Sequence, residues 1–219
     1  LQAWFAHIPG LKVVMPSSAE DAKGLLLSSI FDPNPVLFLE HRWLHNSTAE
    51  VPDGDFRIAL GKCKKIFNGN RITIVSMSYM TVEAIIASKY LEKHGIGVEL
   101  LDLRSIKPLD LDSIILSISK TGKLLVLDTG AYTCSVASDI ISKISINHAS
   151  VLNGPPSILA MPDMPEPTSY GLTKGFYIRA ADIVKEVFNM LDIKGISPHD
   201  DLPEPEPHDV PGKWFQGPF

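Results

Sequence analysis

The sequence predicts an α/β protein with a mostly parallel sheet and helices on both faces. Three observations carry this. Apolar runs of strand length alternate with helical segments from residue 72 to residue 191, which implies parallel strands joined by right-handed crossovers. The stretch from Leu91 to Asp128 packs strand, loop, helix and strand into one unit, with Arg104, Lys107, Pro108 and Asp110 where the first strand ends. In open α/β sheets ligands and partners gather at the carboxyl ends of strands. Finally, 219 residues suffice for one large core or two smaller ones.

Each element has a local reason. Val13–Met15 is a short apolar run after the Pro9-Gly10 turn. Ser17 or Ser18 caps a helix with Glu20 and Asp21 in its first turn, where the helix dipole favours negative charge. That helix runs to about Ile30, and Asp32-Pro33-Asn34-Pro35 stops it. Val36–Glu40 has the length and apolarity of a buried strand. Residues 41 to about 60 lose periodicity and read as a connection. Lys62–Phe67 and Ile72–Met77 are two strands, and the Asn68-Gly69-Asn70 between them signals a hairpin. A helix over 81–94, strand 98–103, helix 111–121, strand 124–128, helix 134–147, strand 157–161 and helix 181–191 follow. The tail from Gly195 is proline-rich and acidic, expected to be extended and without a core of its own. Its Trp214, Phe215 and Phe219 require an apolar cover.

Composition narrows the function classes. With 45% hydrophobic and 21% charged residues the chain is ordinary for a globular protein. A net charge of -5 without a Lys/Arg cluster argues against nucleic acid. No apolar run approaches the roughly 20 residues that span a bilayer, and no signal peptide is visible. Cys63 and Cys134 match no metal or redox spacing; both read as buried small apolar residues, which points to a reducing cytoplasm or organelle matrix.

The chemistry-bearing residues each have two readings. Arg104 and Lys107 suit an anion or the acids of a neighbouring subunit, or else a local salt bridge with Asp102 or Asp110, with Asp110 capping the next helix. Asp128-Thr129-Gly130 serves a site or interface, or caps the helix that follows. Asp32 and Asn34 stand at a helix carboxyl end whose free carbonyls suit a hard cation, or simply form Asx turns. His7 is a lone histidine of AWFAH, and the other histidines show no ligand spacing. Neither a glycine-rich phosphate loop nor a nucleophile elbow is present in the sequence.

Taken together, several segments resemble one family. LQAWFAHIPGLKVVMPSSAEDAKGLLLSSIFDPNPVLFLEHRWL is similar to the later part of the pyrimidine-binding domain in beta subunits of 2-oxoacid dehydrogenase first components. The segment from Gly61 through LRSIKPLD to Asp128 resembles the carboxy-terminal domain these proteins share with transketolases. PDMPEPTSYGL and ADIVKEVF resemble its closing segment. The AWFAHIPG run argues against a single-chain transketolase or deoxyxylulose-phosphate synthase.

The resemblance implies a partial pyrimidine-binding domain over 1–45, a linker over 46–61, a carboxy-terminal domain over 62–194 and a tail over 195–219. It further implies a thiamine diphosphate enzyme decarboxylating a 2-oxoacid such as pyruvate and passing the acyl group to a lipoyl carrier. The partners implied are an alpha subunit and a second beta subunit in an α2β2 assembly, and a lipoyl acyltransferase. Thiamine diphosphate and magnesium would be bound mainly outside this chain, because the family's activating glutamate and its His-Ser-Gln-Ser-type histidine both precede Leu1. No catalytic or cofactor residue is therefore assigned here. A structural potassium ion is implied at Ser29, Ile30, Asp32 and Asn34, and subunit contact or docking at Arg104, Lys107, Asp110 and Asp128. The alternative is a non-catalytic assembly or docking module.

Overall fold

A computed structural model describes residues 1–203 and 205–217 of the chain. Its main sheet has five strands: β3 (Lys64–Asn68), β4 (Ile72–Ser76), β5 (Val98–Asp102), β7 (Leu124–Ala131) and β8 (Ser157–Met161), in the order β3-β5-β4-β7-β8. All pairings are parallel except β3 with β5. Helices α3 (Tyr79–Lys93) and α6 (Ala180–Leu191) cover one face; α4 (Leu111–Thr121) and α5 (Val136–Asn147) cover the other. Side-chain alternation along each strand feeds both cores. Ile72, Ile74, Leu125 and Leu127 pack with α3 and α6, whereas Val75, Leu124 and Val126 pack with α4 and α5.

The amino-terminal stretch builds α1 (Gln2–Ala6), β1 (Lys12–Val14), α2 (Ala19–Ile30) and β2 (Val36–Phe38). Ser18 caps α2, its hydroxyl accepting the Asp21 N–H at 3.2 Å. β1 lies between β2 and a strand not legible in the sequence, β6 (Ser105–Lys107), which runs antiparallel to it. Val13 and Met15 belong to the same buried cluster as Ile114 and Ile140. The aperiodic connection is pinned rather than loose. Gly24 of α2 meets it so closely that a Cβ would sit 2.6 Å from Ile58 Cγ1, and Ile58 N–H donates to the Gly24 carbonyl at 3.2 Å.

Three expectations are corrected. β3 and β4 do not form a hairpin, because β5 inserts between them. Gly69 serves a close backbone crossing instead: its N–H donates to the Val98 carbonyl at 2.8 Å, and a Cβ there would lie 2.1 Å from the Gly97 carbonyl carbon. Cys134 is exposed, since β7 continues to Ala131 and α5 begins only at Val136, leaving Cys134 in the turn at φ +55°. The tail is not simply extended. It forms the short helix α7 (Pro198–Asp201) and folds back, burying His208, Val210 and Phe215. Trp214 stays 40% exposed, and Phe219 lies outside the described residues.

Candidate functional site

The polar residues after β5 sew the amino-terminal helix to the sheet. Arg104 holds a left-handed backbone at φ +56°, with its N–H donating to Asp102 Oδ1 at 3.1 Å. Its Nε and Nη2 donate to the Lys62 carbonyl at 3.1 and 2.9 Å, and Nη1 donates to Asp21 Oδ1 in the first turn of α2 at 3.3 Å. The Ser17 hydroxyl donates to Asp102 Oδ2. Burial, only partly offset by that hydroxyl, pushes the Asp102 carboxyl up to about 7.

The other sequence-predicted residues also have places. Asp110 caps α4: it accepts the Cys63 N–H at 3.0 Å and the Ser113 hydroxyl at 2.8 Å. Although burial opposes ionisation, the hydrogen bonds from Cys63 and Ser113 hold it below the usual carboxylate range. Asp128 is fully buried, accepting Gln2 Nε2 at 2.6 Å, Gly130 N–H at 2.9 Å and Ala137 N–H at 3.1 Å. It thus ties α1 to the first turn of α5. Lys107 is exposed. At the α2 terminus, Asp32 accepts from Lys12 Nζ at 2.5 Å and from Asn34 N–H at 2.9 Å. Those contacts, Lys12 foremost, hold its carboxyl below its ordinary value. The Ser29 hydroxyl bonds back to the Leu25 carbonyl at 2.7 Å, and Ile30 is 64% exposed.

A cleft lies elsewhere at the same end of the sheet. It measures about 550 Å³ and reaches from Asp128 and Thr129 of β7 past His41 and Trp43 to Tyr177, with Val210 and Phe215 of the tail as its far wall. Beneath it runs a buried network that the sequence reading missed. Arg179 Nη1 lies 3.3 Å from Glu83 Oε1 and 3.3 Å from the Tyr79 hydroxyl. Its Nη2 donates to the carbonyls of His208 and Val210 at 2.8 and 3.0 Å. The Tyr79 hydroxyl donates to Glu83, whose other oxygen accepts the Ala180 N–H at 2.9 Å. A signal was available: Glu83 falls in phase with Met80, Ala84 and Ala87 on the buried stripe of α3, where a charge demands a buried partner. His41 stacks on Tyr79 at 5.2 Å, and burial lowers its pKa to about 4, so it is neutral near pH 7.

Residues 61–183 match the transketolase C-terminal domain and residues 1–47 the transketolase pyrimidine-binding domain. The chain belongs to the transketolase C-terminal domain family. Among curated relatives, this transketolase-type chain is 41% identical over 186 residues to a pyruvate dehydrogenase E1 component subunit beta of Rhizobium meliloti, covering 84% of the chain and 40% of the relative. It is 37% identical over 179 residues to the beta subunit of an acetoin:2,6-dichlorophenolindophenol oxidoreductase of Cupriavidus necator, covering 82% and 53%. A mitochondrial pyruvate dehydrogenase E1 component subunit beta-1 of Oryza sativa is 39% identical, with 84% and 50% covered. The chain spans about half the length of these relatives. A solved structure, a split-gene transketolase in an inactive beta4 tetramer, superposes with a TM-score of 0.71 at 22% identity, covering 89% of this chain and 61% of that one, and shares the fold.

Thiamine diphosphate is the cofactor such a family implies, and the described residues do not fit it. A diphosphate with its magnesium requires converging oxygen donors around the metal and cationic or N–H donors around the phosphates. Among the described residues, no three His, Cys, Asp or Glu side chains converge as a metal site. The cleft is lined by Glu40, Asp128, Glu166 and Asp209 against the one cation Arg42 among the described lining residues, an acidic balance that repels phosphate. No helix among the described residues is long and apolar enough to cross a membrane.

Proposed function

We propose that this chain is the carboxy-terminal part of a beta subunit of a thiamine diphosphate-dependent 2-oxoacid dehydrogenase, acting on a 2-oxoacid such as pyruvate. The observation that carries the reading is the joint match to two consecutive transketolase domains, with relatives at 37–41% identity named as beta subunits of pyruvate and acetoin enzymes. In this reading, the residues described here hold an assembly together rather than move protons on substrate. Thiamine diphosphate, when bound, supplies carbanion stabilisation; it sits with magnesium on an alpha subunit and on the family's amino-terminal beta-subunit residues. The chain pairs with that alpha subunit and a second beta subunit, and the acyl group passes to a lipoyl acyltransferase component. Exposed Lys107 is the member of its group best placed to meet a partner, because Arg104, Asp110 and Asp128 have bonds within the chain. The helix end at Ser29, Ile30, Asp32 and Asn34 holds a potassium ion in the assembly if Lys12 swings away from Asp32. Domain limits at 45, 61 and 194, and a reducing cytoplasmic or organelle-matrix location, complete the proposal.

The test is co-expression with an alpha-type subunit. Co-purification of this chain with the alpha-type subunit is expected. Failure of this chain to co-purify with the alpha subunit would refute the reading.

A further inference from the structure

The junction between α2 and the main sheet holds more acid than base. Three carboxylates meet there: fully buried Asp102 at the end of β5, and buried Asp21 and partly exposed Glu20 in the first turn of α2. The cations that face them are already committed. Arg104 Nη1 lies 3.3 Å from Asp21 Oδ1, and its other nitrogens serve the Lys62 carbonyl. Lys64 Nζ lies 2.8 Å from Glu20 Oε2 and 3.6 Å from Asp21 Oδ2. Lys62 and Asp110 balance each other at 3.7 Å, and burial keeps the Cys63 thiol neutral, at a pKa of about 12. In the sheet Asp102 stands beside Lys64 of β3 and uncharged Ser76 of β4. Among the described residues Asp102 thus has no ion pair of its own. Its oxygens receive the Arg104 N–H at 3.1 Å and the hydroxyl of Ser17, one residue before the Ser18 cap.

We propose that Asp102 is a proton-operated latch: with its proton it seats Ser17 and α2 on the sheet, and as an anion it favours their release. The ionised carboxyl, held near Asp21 without a cation of its own, gains hydration only when the Ser17-Ser18 entrance to α2 lifts. Burial, with Asp21 adding to it and the Ser17 hydroxyl opposing it, raises the seated carboxyl to about 7; once lifted, it returns toward its ordinary 3.8. The seated state therefore holds the proton more tightly. Lifting becomes about tenfold easier per pH unit between about 4 and 7, and levels off above about 7. The element so governed belongs to the stretch matched to the pyrimidine-binding domain, 1–47, and its seat to the carboxy-terminal domain, 61–183. Proton concentration below neutrality thus sets how firmly the two are joined, with or without an alpha subunit.

Amide exchange of the full chain, followed by mass spectrometry over a pH series from 5.5 to 8.5 and corrected for intrinsic rates, reads the latch. α2 is expected to open without global unfolding, and so to be about tenfold or more less protected than β4 and β7. Its protection should fall about 30-fold between pH 5.5 and 7.5, the tenfold slope acting up to about pH 7. In Asp102→Asn that fall should shrink to about threefold or less. Should Asp102→Asn fail to fold, Ser17→Ala serves: it removes a bond that favours the anion and should move the levelling-off point to higher pH. An α2 as protected as the core strands, an unchanged fall in folded Asp102→Asn, or an unmoved levelling-off point in Ser17→Ala overturns the proposal.

Discussion

Arg179 Nη1 and Glu83 Oε1 lie 3.3 Å apart with side chains only 7% and 6% exposed, joining α6 to α3 where the tail returns. Every oxygen of Glu83 is used, by Tyr79, Arg179 and the Ala180 N–H. Removing one partner leaves the other charge buried and unpaired, which costs about 3–5 kcal/mol. Glu83→Ala is therefore expected to lower the unfolding free energy obtained from urea titration by that amount. Arg179→Leu should also free the tail, read as faster proteolysis beyond Gly195. A loss below about 1 kcal/mol in both variants would contradict the pairing.

Asp102 is expected to impose a pH dependence on stability. Its folded pKa, about 7, lies above its unfolded value of 3.8, so the folded state holds a proton that the unfolded state has released. Its contribution therefore declines as pH rises from about 4 to 7 and is flat above that. The full penalty is about 4 kcal/mol at 1.36 kcal/mol per unit. His41 works the other way: with a folded pKa of about 4, it stabilises above 6.5 and loses that contribution as pH falls toward 4. Asp102→Asn, measured by denaturant unfolding from pH 5 to 8, should raise stability most at pH 8. A gain independent of pH would exclude this account.

The two thiols should differ sharply in reactivity. Burial pushes the Cys63 thiol up to about 12, and Asp110 and Asp102 add to the shift, whereas Cys134 is exposed. One equivalent of an aromatic disulfide reagent is expected to react at pH 8 in the native protein, at Cys134 by peptide mass. Two fast equivalents would contradict the structure.

Arg104 tests the junction. Arg104→Ala removes the contact with Asp21 and the bonds to the Lys62 carbonyl and leaves a left-handed non-glycine backbone. Faster amide exchange in α2 than in β4 or β7 is expected, with a loss of about 1–3 kcal/mol. Arg104→Gly should recover part of that loss through its backbone freedom. Uniform exchange across both regions would show the junction is not a separate cooperative unit.

Thiamine diphosphate with magnesium is expected to give no micromolar heat of binding to this chain alone, because the described donors do not converge and the large cleft is acidic. Micromolar binding would place the cofactor site here after all.

What the sequence determined by itself is local and periodic: the α/β class, the parallel alternation, a serine cap at residue 17 or 18 on α2 and the family resemblance in AWFAHIPG and LRSIKPLD. These depend on spacing along the chain, which short-range sterics and hydrogen bonding translate directly into elements. Tertiary structure decided the rest. Asn68-Gly69-Asn70 looks like a hairpin turn until β5 is seen between β3 and β4, since pairing partners are chosen by burial of both sheet faces rather than by the loop. β6 is three residues long, too short to carry a pattern, and exists because β1 offers it an edge. The Arg179 network joins residues about a hundred positions apart, Glu83 and Tyr79 on one side and the returning tail on the other. Only the packing of α3 against α6 brings those charges into one dry place, where pairing becomes obligatory.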